Sequence, residues 1–246
     1  TVPQSKTGVA LALTDRIDSL VGLFAAGLAP SGTKDPFALR RAAIGVVTPL
    51  LEHDLDFDLR VAVDAVAPLQ PIPVSDETKA EVLDFIAGRL SVALKEIYRY
   101  DVVDAVLAAQ SDSPASAKRA VEELQAWVER DDWDEIFPAY SRCARIIRSA
   151  SVSSEQLSVN SDLFVEDAER ELNTEYKKLI TDHGTLTTVN DALSIVEALV
   201  PAINNFFDNV LVMDEDEAVK QNRLALVGKI AGLVDGLADL SHLEGF

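Results

Sequence analysis

Apolar residues recur at the spacing of an α-helix in one segment of the chain after another. In the first segment, residues 9–25, they form a single stripe and charged residues fall on the other side. Serine, proline and glycine separate it from later segments with the same pattern, and the serine-rich residues 149–161 predict a surface loop. The sequence therefore predicts an all-α fold. The expected helices are residues 9–25, 35–52, 102–109 and 136–150, one each after Ser75 and Ser113, and three beyond Ser161.

A helix start is predicted at Asp35. Its carboxylate is a good N-cap, and Pro36 suits the first helical position, where its missing N–H costs nothing. Lys34, Arg40 and Arg41 flank this start, although a helix N-terminus already carries partial positive charge. The three cations favour an anion docked there, such as a phosphate or a carboxylate. Pairing of the arginines with acidic neighbours is the open alternative. The buried side of this helix is expected to carry Phe37, Ile44, Val47 and Leu51.

The helix expected at residues 136–150 carries a second group of cations. Arg142, Arg145 and Arg148 share one face, beside an apolar face that includes Tyr140. At 1.5 Å rise per residue the arginines span about 9 Å, which is close to a few phosphate spacings along a strand. Guanidinium groups can also stack on unpaired bases. The alternative is that the acidic run at residues 131–135 neutralises them.

The charge balance works against a nucleic-acid partner. The formal net charge is -19 and the pI is near 4.4, whereas phosphate contacts supply most of the affinity for nucleic acids. An RNA site would have to be a local basic patch on an acidic body, which predicts weak binding by this chain alone. The sequence has no signal-peptide pattern and no 18-residue apolar span, so we expect a soluble protein. Cys143 is the single cysteine, which excludes an internal disulfide and fits a reducing compartment.

Motifs that carry catalytic chemistry are missing from the sequence. It contains no Gly-rich phosphate loop, no His-Glu-x-x-His, no Cys-x-x-Cys pair and no nucleophile elbow. His53, His183 and His242 lack the spacing of metal ligands. We therefore expect neither catalytic residues nor a metal site in this chain.

Several segments carry a resemblance to a known family. Residues 34–41 read Lys-Asp-Pro-Phe-Ala-Leu-Arg-Arg, and residues 12–24 precede them as Ala-Leu-Thr-Asp-Arg-Ile-Asp-Ser-Leu-Val-Gly-Leu-Phe. Together with residues 206–213 and 222–226, they resemble the β subunit of bacterial-type glycyl-tRNA synthetase over nearly the whole chain. Residues 139–147 also resemble the first helix of the anticodon-binding bundle shared by glycyl β subunits and arginyl synthetases.

The resemblance implies a domain organisation. Residues 1–130 would form the C-terminal part of an HD-like helical domain with connecting helices, and residues 131–246 an anticodon-binding, DALR-like helical bundle. Asp15 matches the aspartate that closes the metal site of HD-type phosphohydrolases. The histidine and the His-Asp pair that complete that site do not precede it here, so we expect a structural role for Asp15. Thr1 opens the sequence without a methionine, which suggests a piece of a longer protein.

The resemblance also implies a function. In the family, the active site that uses ATP and Mg belongs to a separate α subunit, so this chain is expected to be a non-catalytic part of glycine–tRNA ligase with no cofactor of its own. It would recognise glycine tRNA and position it for aminoacylation. Its expected partners are glycine tRNA and the α subunit, with no DNA and no membrane, in the bacterial cytoplasm or in a plastid. The residues expected to contact tRNA are Tyr140, Arg142, Arg145, Arg148, Lys34, Arg40, Arg41, Lys220 and Arg223.

Two other function classes stay open at this point. One is a helical protein-interaction module that docks the α subunit without direct RNA contact, using the acidic surface. The other is a metal phosphohydrolase, against which the missing His-Asp pair argues. Residues 214–217 are all acidic and should repel phosphate, so RNA should avoid that corner.

Overall fold

The regular structure of this chain is helical. The computed structural model describes residues 2–150 and 158–246, so residues 151–157 of the expected serine-rich loop lie outside the described residues. No strand forms in the described ranges, which confirms the all-α prediction. The α-helices within them are α1 (Lys6–Ala25), α2 (Leu39–Glu52), α3 (Leu59–Val66), α4 (Asp76–Lys95), α5 (Tyr100–Gln110), α6 (Pro114–Val128), α7 (Trp133–Ala150), α8 (Asp167–His183), α9 (Val189–Asn209) and α10 (Glu217–Ala231).

The chain divides into two compact units, Thr1–Val121 and Glu122–Phe246. The first unit contains α1 to α5, the second contains α7 to α10, and the division falls within α6. The domain division after residue 130 that the resemblance implies stays a prediction. Among the helices of the described ranges, none is both long enough and apolar enough to cross a membrane.

Packing in the first unit centres on α1, which contacts α2, α3 and α4. The hydroxyl of Ser5 begins α1, because it accepts a hydrogen bond from the N–H of Gly8 at 3.1 Å. Ser75 caps α4 in the same way through the N–H of Thr78, as its sequence position predicts. The apolar stripe of α1 is buried at Leu13, Ile17, Leu20, Val21 and Phe24.

The start of α2 differs from the prediction made for Asp35. The helix begins at Leu39, and Ala38 before it has a φ of 56°, in the left-handed region. Pro36 therefore lies in a turn ahead of the helix rather than at its first position. The sequence pattern places Phe37 and Ile44 on the buried side, yet both are about half exposed. Val47 is buried as predicted, and it shares the buried row with Leu39, Ala43, Val46 and Leu50.

The second unit packs α7 against α9 and α10, and α8 against the same two helices. Thr188 begins α9 in a capping box, in which its hydroxyl and the carboxylate of Asp191 each accept from the other residue's backbone N–H. Gly184 follows α8 with a φ of 72°, a conformation that glycine adopts without the steric cost of a side chain. Gly184 thus marks the end of α8, and Thr188 marks the beginning of α9.

We expect Cys143 to be protected from thiol reagents in the folded chain. Its side chain is fully buried on α7, and burial raises the pKa of the thiol to about 12, although the charge of Arg142 opposes this. Labelling by a disulfide reagent at pH 8 should be on the order of a hundredfold slower than in the guanidinium-unfolded chain, because it requires opening of the core. Equal labelling rates in the folded and unfolded chain would contradict this burial.

Candidate functional site

Three exposed arginines form a basic strip along α7. Arg142, Arg145 and Arg148 follow one another at intervals of three residues. The guanidinium carbon of Arg142 lies 5.1 Å from the ring centre of Phe207. Those of Arg145 and Arg148 lie 5.3 and 5.5 Å from the ring centre of Phe246. We call the three arginines the arginine ridge. All three guanidinium–ring distances are within the range of a cation–π interaction.

Burial of the opposite face of α7 sets the direction of the arginine ridge. Cys143, Ile147 and Tyr140 are buried on that face. The Tyr140 hydroxyl donates a hydrogen bond to the backbone oxygen of Ala231 at 3.0 Å, and burial raises the pKa of the phenol well above its ordinary value. Tyr140 thus lies in the core beneath the ridge, where its ring supports α7 rather than facing solvent.

The arginine ridge has no carboxylate within ion-pair distance among the described residues. Within the acidic run at residues 131–135, Asp132 accepts hydrogen bonds from Arg130 at 2.6 and 2.7 Å rather than from the ridge. The chain has 41 acidic residues, so three arginines without an ion pair indicate a surface open to an external anion. The other arginines of this unit do form ion pairs: Arg130 with Asp132 and Glu197, Arg170 with Asp167, and Arg223 with Glu169 and Asp214.

One carboxylate lies near the arginine ridge without pairing with it. Burial alone would raise the pKa of Asp239, but hydrogen bonds from Ser241 and the charges of Arg148 and His242 outweigh burial and hold that pKa below its ordinary value. The charge of Arg148 is therefore partly offset by a carboxylate with which it forms no ion pair.

The two expected contacts on α10 are engaged within the protein. Arg223 is buried, where its Nε donates to Glu169 at 3.0 Å and its Nη1 donates to Asp214 at 2.6 Å and to the backbone oxygen of Leu211 at 2.9 Å. Lys220 forms an ion pair with Glu217 at 2.8 Å. Arg223 therefore ties α10 to α8 and the acidic loop, and it does not face solvent as the arginine ridge does.

The cations beside α2 surround a helix end that is already occupied. The Asp35 carboxylate accepts hydrogen bonds from the N–H groups of Leu39 at 2.8 Å and Arg40 at 3.0 Å. Burial would raise the pKa of Asp35, but these bonds and the charges of Arg40 and Arg41 outweigh it and lower the pKa. The Arg40 side chain donates to the backbone oxygen of Gly32. Lys34 and Arg41 are exposed, in the first unit, and the ridge belongs to the second.

The described residues hold no cluster of three or more His, Cys, Asp or Glu side chains that could bind a metal ion. Asp15 is exposed on α1. The chemistry that the described site supports is the recognition of an anion.

Phe207 and Phe246 belong to the site although sequence reasoning did not select them. Phe207 lies within residues 206–213, one of the segments that carry the family resemblance, but its spacing within α9 is that of one more core position. Phe246 lies a hundred residues beyond Arg145 in the sequence, where no local pattern links it to α7. A long-range contact of this kind becomes visible only in the folded chain.

Comparison with known proteins gives matches along the chain. A family model described as "Glycyl-tRNA synthetase beta subunit" matches residues 1–108, and one described as "DALR anticodon binding domain" matches residues 136–240. The second match includes the whole of the arginine ridge.

Curated relatives cover the chain almost completely. It is 37% identical over 246 residues to the chloroplastic/mitochondrial glycine–tRNA ligase 2 of Arabidopsis thaliana, covering 100% of this chain and 23% of that protein. It is 35% identical to the glycine–tRNA ligase β subunit of Myxococcus xanthus and 38% identical to that of Moorella thermoacetica. These alignments cover 99% and 98% of this chain and 36% of each β subunit, so the chain spans little more than a third of their length.

We expect Arg223 and Arg142 to differ in what they contribute to stability. Arg223→Ala leaves buried Glu169 without its charged partner, so the free energy of unfolding should fall by about 3 kcal/mol or more. Arg142→Ala removes an exposed side chain and should change it by less than about 1 kcal/mol. Urea unfolding followed by circular dichroism measures both. Similar losses for the two variants would contradict the assignment of Arg223 to the core.

Proposed function

Because this chain belongs to the glycyl-tRNA synthetase β-subunit family and corresponds to the C-terminal part of its members, we propose that its second unit binds glycine tRNA through the arginine ridge. The observation that carries the proposal is the pairing pattern. In an acidic unit whose other arginines are all ion-paired, the three arginines of α7 are exposed and, among the described residues, lack a carboxylate partner. The residues proposed as direct contacts are Arg142, Arg145 and Arg148.

The arginine ridge suits RNA in two ways. A guanidinium binds phosphate oxygens through parallel N–H groups, and its flat face can stack on an unpaired base. The ridge is a local basic strip on a chain of net charge -19, so attraction to RNA depends on a few short-range contacts. Weak binding by this chain alone follows, and much of the tRNA affinity of the complete enzyme would come from its other parts.

The proposed contribution to the reaction is positioning. A tRNA held at the ridge loses translational and rotational freedom before the chemical step, which lowers the entropic part of the barrier at a distant active site. We propose that this active site, with its ATP and Mg, lies on the α subunit, and that the chain acts in the bacterial cytoplasm or in an organelle with bacterial-type machinery. Lys34, Arg40 and Arg41 are retained as weaker candidate contacts, since Asp35 already occupies the nearby helix end.

A second candidate function is docking of the α subunit, and a surface feature of the first unit favours it. An apolar groove of about 460 Å³ lies between α1 and α3 there. Val61 on its lining is 63% exposed. Exposed apolar surface of this kind is typical of protein contacts. We propose that the α subunit docks on this groove.

The RNA proposal is tested with Arg142→Ala and Arg145→Ala in the complete enzyme. Each change should weaken binding of glycine tRNA about tenfold, because a charge-assisted contact to phosphate is lost. The slope of log affinity against log salt should fall by about 0.7 to 0.9 per arginine removed. Lys177→Ala is the matched control, since it removes one exposed positive charge from α8 of the same unit. If Lys177→Ala weakened tRNA binding as much as the ridge variants do, the loss would reflect net charge alone and would contradict a specific site at the ridge.

The two surfaces are separated by a paired experiment. Val61→Glu should weaken association with the α subunit and leave tRNA binding by the isolated β subunit intact, because it places charge in an apolar contact. Arg142→Ala and Arg145→Ala should do the reverse. If the ridge variants weakened α-subunit association and left RNA affinity unchanged, the interaction-module alternative would replace RNA binding for the second unit.

A further inference from the structure

The arginine ridge rests on two phenyl rings that come from distant parts of the chain. Phe207 lies in the last turn of α9, and Phe246 follows the short helical turn at Leu240–His242. Both rings are half-buried, so one face of each packs on the protein. Phe207 meets the fully buried Phe206 edge to face, with 5.2 Å between ring centres. Phe246 lies 6.4 Å from Phe137, which is itself buried.

Arg145 is held from a second side as well. Its Nη2 donates a hydrogen bond to the backbone oxygen of Gly245 at 3.0 Å. Gly245 has a φ of 91°, a conformation that residues with a side chain rarely adopt. A residue with a side chain at position 245 would strain the backbone there. This backbone conformation places both the Gly245 carbonyl and the Phe246 ring against the guanidinium of Arg145.

Held arginines differ physically from free ones. A free arginine side chain has many rotamers and must lose most of them when it binds a phosphate. A guanidinium lying on a ring has already lost part of that freedom in the unbound protein, and the ring contacts only its face, so the ring leaves its N–H groups available. In Arg145 the carbonyl of Gly245 takes one of these N–H groups, and the others remain available. Binding then costs less than it would for three mobile side chains.

We propose that Phe207 and Phe246 are positioning residues of the tRNA surface, which act by holding the guanidinium groups of the arginine ridge in their binding orientation. Phe207 holds Arg142, and Phe246 holds Arg145 and Arg148. The inference rests on the proposed function of the ridge. The rings would raise RNA affinity only through the arginines that they hold, without contacting the RNA themselves.

The test uses Phe207→Leu and Phe246→Leu in the complete enzyme, with glycine tRNA as the probe. Leucine retains apolar volume and removes the ring. Each variant should weaken tRNA binding by about two- to fivefold, the size of an exposed cation–π contact, and should raise KM for tRNA with kcat unchanged. Phe207→Tyr and Phe246→Tyr retain the ring and should restore affinity. Phe85→Leu is the matched control, because the ring centre of Phe85 lies 5.7 Å from the guanidinium carbon of Arg89 in the first unit, whereas the ridge belongs to the second unit.

A double-mutant cycle decides whether the rings act through the arginines. In an Arg145→Ala, Arg148→Ala background, Phe246→Leu should cause no further loss of affinity, provided that circular dichroism and thermal unfolding show the fold intact. The same two- to fivefold loss in that background would overturn the inference, because the ring would then act directly or through the fold. Unchanged affinity in both leucine variants would also overturn it. If the ridge variants themselves bind tRNA normally, the proposed function fails together with this inference.

Discussion

The burial of one face of α7 is the constraint on which the site depends. Tyr140, Cys143 and Ile147 pack into the core, and the Tyr140 hydroxyl bonds to the backbone at the end of α10. At 3.6 residues per turn, a helix fixed on that face presents its far side to solvent, and Arg142, Arg145 and Arg148 lie there. The arginine ridge is thus a geometric consequence of apolar packing. Its direction is set by side chains that carry no charge.

Selective pairing then decides which cations are available. Arg223 is enclosed by Glu169, Asp214 and a backbone carbonyl, so its charge stabilises the fold. Arg130 takes the carboxylate of Asp132 that could otherwise face α7. An acidic protein can therefore keep a basic strip, provided that its carboxylates are held by other partners. Net charge alone is a poor guide to such a surface, because a bound anion senses mainly the charges within about a Debye length.

The sequence was enough to predict the all-α fold, the face of α7 and the outward arginines, since each depends on local periodicity. The sequence failed to predict features that depend on interactions beyond local periodicity. The eight residues of α3 are too few to show a helical period, and α2 begins four residues after its predicted cap because a turn comes first. Local sequence does not distinguish Arg223 from an exposed cation. Its burial depends on Glu169 and Asp214, which are 54 and 9 residues away. Phe246 beneath Arg145 is equally invisible before folding.

The carboxylate at the start of α2 has a consequence for the most recognisable segment of the sequence. Asp35 supplies the helix with its own counter-ion, so an outside anion would have to compete with a tethered ligand at very high effective concentration. The segment is complete in itself as a folding element. Removing Asp35 would uncover an anion-binding helix end flanked by Lys34, Arg40 and Arg41, so that a loss of charge there would create affinity where the native chain has little.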